Sequence, residues 1–201
     1  MRLGHCGAVL GLVLLLPVAG KSGVCADVVQ GPRHDFQLFA GYSPDSPSVL
    51  GSAPDRQFVL AGFSYGYRCW TPGPASVYYN AVLMPAALLR VPQNRAGAHW
   101  VYGFAAAPLG FTVEFGRRRV RPFFETMGGI IASTEPIPIN APNATGLNFM
   151  FDFGGGIRWL IGPRRALNFG YRFLHISNAG TTSFNPGVDN NVIYVGFSFL
   201  R

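Results

Sequence analysis

The sequence predicts an all-β chain, an eight-stranded antiparallel transmembrane barrel of the outer-membrane type. Three observations lead there. Hydrophobic residues make up 49 % of the chain and aromatics 14 %, with only 12 % charged, yet no segment beyond the N-terminal region resembles the roughly 20 consecutive apolar residues that a spanning helix needs. Apolar and polar residues alternate with period 2 through most of the chain, the pattern of a strand with two different faces. The connections between these runs alternate between long and short, as they do in barrels with loops on one rim and tight turns on the other.

The N-terminal residues 1–26 read as a signal peptide, followed by a barrel domain at 27–201. Arg2 supplies the positive start, Gly7 to Gly20 an apolar run, and Val24-Cys25-Ala26 a small-residue cleavage site before Asp27. Gly20 is the competing cleavage point. Val24 is too large for lipoprotein processing at Cys25. Removal of 1–26 leaves fourteen arginines, no lysine and nine acids, a formal charge of +5. Cys69 then remains without a partner for an internal disulfide. Arg117-Arg118-Arg119, Arg121 and Arg164-Arg165 fall at turns rather than along a basic helix, so the positive charge reads as interfacial arginine near anionic head groups and not as a nucleic-acid footprint.

Strands are expected at 34–42, 57–68, 76–84, 110–116, 120–131, 147–160, 166–177 and 189–200. The sixth alternates most clearly. Leu147, Phe149, Phe151, Phe153, Ile157 and Trp159 lie on one face, and Asn148, Met150, Asp152 and Arg158 on the other. An aromatic ladder of this kind fits lipid contact, with Asp152 and Arg158 in a polar lumen. Phe111, Val113 and Phe115 repeat the pattern, as do Phe169, Tyr171 and Phe173. Long connections are expected at 43–56, 85–109, 132–146 and 178–188, and short ones at 69–75, 117–119 and 161–165. With both termini periplasmic, the long loops face outside the cell. Gly154-Gly155-Gly156 lies mid-strand, where glycine relieves barrel curvature, and opens no helix that would make it a phosphate loop.

One face of the seventh strand carries His175 and Ser177 beyond its aromatics, since residues i and i+2 share a side. Asp189 begins the corresponding face of the last strand. A register that opposes 175 with 189 also sets Phe173 against Asn191, Tyr171 against Ile193 and Phe169 against Val195, so aromatic residues meet aliphatic ones. Opposed Cβ atoms in such a pair are about 4.5–5.5 Å apart, within reach of a His–carboxylate hydrogen bond. The three residue types are those of a serine hydrolase: Ser177 as nucleophile, His175 as base and Asp189 as orienting acid. Ionisable groups on a lipid-facing wall are costly and usually functional. The loop between the strands supplies oxyanion donors from the backbone N–H groups of Ala179 and Gly180 and the side chains of Asn178 and Asn185. His34 and His99 have no companions at metal-ligand spacing.

The segment His175-x-Ser177-Asn178-Ala179-Gly180, then Asn185-Pro186-Gly187 and an apolar final strand, resembles the PagL family of outer-membrane lipid A 3-O-deacylases, whose relatives are often labelled acyloxyacyl hydrolases. The resemblance covers about residues 169–200; upstream only the strand rhythm agrees. It implies a bacterial outer-membrane enzyme with its active site on the outer wall of the barrel, removing the ester-linked acyl chain at the 3-position of lipid A without metal or cofactor. It also implies His175 as base, Ser177 as nucleophile, and Asn185 with Gly180 as the oxyanion site. The family's acid is often Glu, twelve residues after the serine; Asp189 stands at that spacing here, one methylene shorter. The implied partner is lipopolysaccharide of the outer leaflet, with a homo-oligomer left open. Two alternatives stand beside this reading: a non-catalytic structural or lipid-binding barrel of the same family, and an esterase acting on phospholipid.

Overall fold

The structure, a computed structural model, describes residues 32–93 and 97–201. The expected signal peptide at 1–26 lies outside the described residues. Eight antiparallel strands run in chain order: β1 His34–Ser43, β2 Gln57–Trp70, β3 Ala75–Gln93, β4 Gly97–Phe115, β5 Val120–Ser133, β6 Leu147–Gly162, β7 Arg165–Ser177 and β8 Val188–Leu200. Each pairs with the next, and β1 pairs with β8, which closes the sheet into a barrel. Closure removes the edges that an open sheet would expose, and it satisfies the backbone within the wall, as a bilayer requires.

The period-2 pattern decides which side of the wall each residue takes. On β6, Phe149, Phe151, Phe153, Ile157 and Trp159 point outward and are exposed, while Asn148, Met150, Asp152 and Arg158 point inward and are buried. Phe111, Phe115, Phe169 and Tyr171 join the outer apolar band. Phe173 shares that face yet is only 7 % exposed, and its ring packs at a tilt on that of Phe153 with centroids 5.3 Å apart.

One expectation fails. The stretch 85–109 was expected to be a loop, but nearly all of it is strand, and β3 and β4 form a long hairpin. Pro85 and Pro108 are the reason for the misreading. Proline cannot donate to a β ladder and usually marks a break. Here each sits where the ladder slips, Pro85 between Met84 and Ala87 and Pro108 between Ala106 and Leu109. A bulge needs no donor at its extra residue. Both proline carbonyls are satisfied by phenols from neighbouring strands: Tyr102 donates to Pro85 at 2.5 Å, and Tyr79 donates to Pro108.

The connections 44–56, 134–146 and 178–187 share one rim with the Gln93 end of β3 and the Gly97 end of β4. The short turns 71–74, 116–119 and 163–164 share the other with the start of β1 and the end of β8. The interior differs between the two halves. Towards the short-turn rim it is polar: Arg158 bonds Asp35 at 2.5 Å, Glu114 at 3.0 Å and Asn168 at 2.8 Å. Arg172 and the Tyr194 hydroxyl both bond Glu125, at 2.8 and 2.6 Å. Asp152 and Arg158 thus face a polar interior, as alternation predicts. Towards the long-loop rim the filling is aliphatic and aromatic, with Phe58, Leu60, Leu89, Ile131, Ile176 and Val188 all buried. At the β6–β7 seam a Cβ on Gly154 would lie 1.9 Å from the Tyr171 carbonyl oxygen, and one on Gly156 would lie 2.1 Å from that of Phe169. Only glycine permits the two strands to approach this closely.

Candidate active site

The last two strands set the site. Their register opposes His175 with Asp189, Phe173 with Asn191, Tyr171 with Ile193 and Phe169 with Val195. Both strands turn these residues outward, so the site lies on the outer wall, one rung below the long-loop rim. His175 Nδ1 lies 2.6 Å from Asp189 Oδ1. An ionised carboxylate only accepts hydrogen bonds, so the proton of this bond sits on Nδ1, which in the neutral imidazole leaves the lone pair on Nε2. The Phe151 ring packs beside the imidazole at 5.3 Å between centroids and limits its rotation.

Asp189 is fully buried although it faces outward. The cover comes from the β1–β2 loop. Three consecutive backbone N–H groups, those of Val49, Leu50 and Gly51, donate to Asp189 Oδ2 at 2.8, 2.7 and 2.9 Å. One carboxylate oxygen therefore faces the histidine and the other faces a main-chain cradle. The loop is tied down next door, where the Ser52 N–H and hydroxyl both donate to the Pro186 carbonyl, at 2.7 and 2.8 Å. Gly51 makes the contact possible, because a Cβ there would meet the Gly187 carbonyl carbon at 2.7 Å.

Ser177 closes β7 on the same face as His175, opposite Phe149. Its hydroxyl makes no hydrogen bond among the described residues. It opens, with His175 and Ala179, into an apolar groove bordered by Phe149, Phe151 and Ile130. Gly128, opposite Phe151, forms the low point, since a Cβ built there comes no closer than 4.0 Å to any neighbouring atom. Such a groove suits an extended hydrocarbon chain.

The β7–β8 loop places the remaining predicted residues. Asn178 is a structural knot: its side-chain amide donates to Thr182 Oγ1 at 2.6 Å and to the Phe184 carbonyl at 2.9 Å, while its Oδ1 accepts the Gly180 N–H at 2.8 Å. The Asn178 N–H in turn donates to Asn185 Oδ1 at 3.0 Å. The predicted donors Asn178 and Gly180 are thus committed to each other and to the loop. The Asn185 side-chain N–H₂ and the Ala179 N–H have no partner among the described residues. Ala179 and Gly180 both take positive φ, 52° and 78°, which turns the backbone sharply as it leaves Ser177.

Sequence reasoning missed Val49, Leu50 and Gly51. Their contribution is main-chain N–H, which no side-chain pattern announces. The remaining histidines sit elsewhere: His34 bonds the Tyr65 hydroxyl at 2.8 Å, and His99 bonds Glu135 at 3.1 Å.

The sequence profile of the family described as lipid A 3-O-deacylase (PagL) matches residues 61–198. Among solved structures, that of the outer membrane enzyme PagL superposes with a TM-score of 0.58 at 18 % identity, over 81 % of this chain and 97 % of that one. Neisserial surface protein A gives 0.53 at 15 % identity, over 84 % and 97 % of the two chains. The outer membrane protein OprG from Pseudomonas aeruginosa gives 0.52 at 13 %, over 86 % and 98 %. At these identities the likeness is one of fold. No curated protein matches the sequence significantly. The profile takes in the strands that carry His175, Ser177 and Asp189 and more than half of the chain, so this protein belongs to the lipid A 3-O-deacylase (PagL) family and is a β-barrel of the bacterial outer membrane.

Proposed function

We propose that the protein is an esterase that removes the 3-O-linked acyl chain of lipid A, with Ser177 as nucleophile, His175 as general base and Asp189 as its orienting acid. The observation that carries this is the 2.6 Å His175–Asp189 bond on the outer wall, beside a serine at the head of an apolar groove. A non-catalytic relative has no need of such a pair turned toward lipid, where polar groups are costly.

The geometry supports the following course. The acyl chain lies in the groove over Gly128, which brings its ester to Ser177. His175 Nε2 takes the Ser177 proton as Oγ attacks the carbonyl carbon, and Asp189 stabilises the imidazolium that forms. The tetrahedral oxyanion is met by the uncommitted N–H groups of Asn185 and Ala179. Asn178 and Gly180 serve by holding the loop that presents them. His175 then gives its proton to the departing sugar hydroxyl. Water, deprotonated by the same nitrogen, releases the fatty acid from Ser177.

The test is expression in a Gram-negative host whose lipid A carries a 3-O-linked acyl chain, followed by mass spectrometry of lipid A and phospholipid. The expected result is lipid A lighter by one acyl chain with phospholipid unchanged. Ser177→Ala gives native lipid A from a barrel that still folds. Intact lipid A beside the folded wild-type barrel refutes the assignment. Deacylated phospholipid in its place assigns the same chemistry to a different substrate.

A further inference from the structure

We infer that the β1–β2 loop is a positioning element of the hydrolytic site, acting through Asp189 by the backbone N–H groups of Val49, Leu50 and Gly51. The inference rests on the hydrolase reading and adds to it a part that precedes the interval matched by the family profile, which begins at residue 61. Consecutive N–H groups that converge on one point make an anion-binding nest. Here the anion is the carboxylate of the site itself. Oδ1 takes the His175 bond and Oδ2 takes all three N–H bonds.

Two features show that the backbone is what this loop contributes. The Val49 and Leu50 side chains point away and are 68 % and 58 % exposed, so neither packs on the acid. Gly51 lies flat against Gly187, and Gly187 itself lies against His175: a Cβ on Gly187 would meet the imidazole Cε1 at 3.1 Å and Gly51 Cα at 3.3 Å. Loop, acid and base therefore form one stack, locked by the two hydrogen bonds that Ser52 donates to the Pro186 carbonyl. The nest also fits the length of this acid. An aspartate's carboxylate lies close to its own strand, and the loop descends to meet it there. A glutamate at 189 carries its carboxylate one methylene further, out of register with either His175 or the three N–H groups.

The experiment uses Gly51→Val and Asp189→Glu in the full barrel, with folding checked by the heat-dependent gel mobility typical of intact barrels. A displacement of about 1 Å at a reacting group costs about 10²-fold in rate. Gly51→Val is therefore expected to lower kcat by about 10²-fold with KM within about twofold of wild type. Asp189→Glu, though it keeps the charge, is expected to lose activity as well. In an Asp189→Asn background, Gly51→Val should cost nothing further, because interacting sites are non-additive. A second readout needs no turnover: the proton NMR signal of His175 Nδ1–H, strongly downfield in a short bond to carboxylate, should shift or vanish in folded Gly51→Val. A folded Gly51→Val with unchanged kcat, equal losses in the two backgrounds, or an unaltered His175 signal overturns the inference. An inactive wild type whose His175 signal still responds to Gly51→Val refutes the esterase assignment and leaves the positioning role standing.

Discussion

Arg158 reaches across the barrel interior from β6 to bond Asp35 on β1 at 2.5 Å. Its other terminal nitrogen bonds Glu114 on β4 at 3.0 Å, so one guanidinium joins three strands that are not neighbours in the sheet. Both acids are buried. Glu114 has a second partner in Arg121 at 2.7 Å. Arg158→Met removes a guanidinium that lies 2.5 Å from buried Asp35 and 3.0 Å from buried Glu114. Removing one partner of a buried pair costs about 3–5 kcal/mol. The expected outcome is a drop of that size in unfolding free energy, measured by urea titration in detergent or vesicles. The pairing can also be tested by Arg158→Met together with Asp35→Leu, which should recover much of the loss. An equal or larger loss in the double variant contradicts the pairing account.

Asn178 and Asn185 look alike in the sequence and do different work in the structure. Asn178 ties together Thr182, Phe184 and Gly180, whereas the Asn185 N–H₂ has no partner among the described residues. Loss of a single oxyanion donor typically lowers kcat by about 10²–10³. Asn185→Ala is expected to show that loss with little change in KM. Asn178→Ala is expected to loosen the whole loop and so to speed limited proteolysis between 178 and 187, which Asn185→Ala leaves largely unchanged. Identical proteolysis in the two variants contradicts this division of labour.

Gly128 leaves an open hollow in the outer wall. A leucine there fills it. In an apolar pocket one methylene of mismatch is worth about 10–200-fold in specificity. Gly128→Leu is expected to reduce kcat/KM at least about tenfold for long-chain ester substrates, and much less for short-chain ones. A uniform reduction across chain lengths places the acyl chain elsewhere.

Much of this architecture is legible in the residues. The ladder from Phe149 to Trp159 fixes β6 and its two faces, because a lipid-facing wall tolerates nothing but alternation. The pairing of His175 with Asp189 is legible through chemistry: the register that joins base and acid also sets Tyr171 against Ile193 and Phe169 against Val195, as the structure has it. The hairpin at 85–109 is illegible because proline punctuates most chains as a break, and whether a bulge absorbs it depends on the strand alongside, where Ala87 resumes pairing with Gly103 and Ala106 pairs with Ile130. The apolar upper half of the interior is equally hidden, since alternation separates inside from outside and does not say what the inside holds. The nest over Asp189 is the deepest omission. Its donors are peptide groups of Val49, Leu50 and Gly51, and its existence depends on a loop meeting a strand about 140 residues later.

A cylinder stoppered by arginine–carboxylate bonds at one end and by Phe58, Leu60 and Ile131 at the other has no bore. Ser177 opens instead on the outer flank, so in the reaction proposed above the substrate reaches it sideways within the leaflet. Turnover by the proposed esterase is then expected to depend on crowding in two dimensions, the mole fraction of substrate among its lipid neighbours, and to be indifferent to how much membrane is suspended in the tube. Diluting the substrate with inert lipid should slow the reaction, whereas diluting the whole suspension with buffer should not.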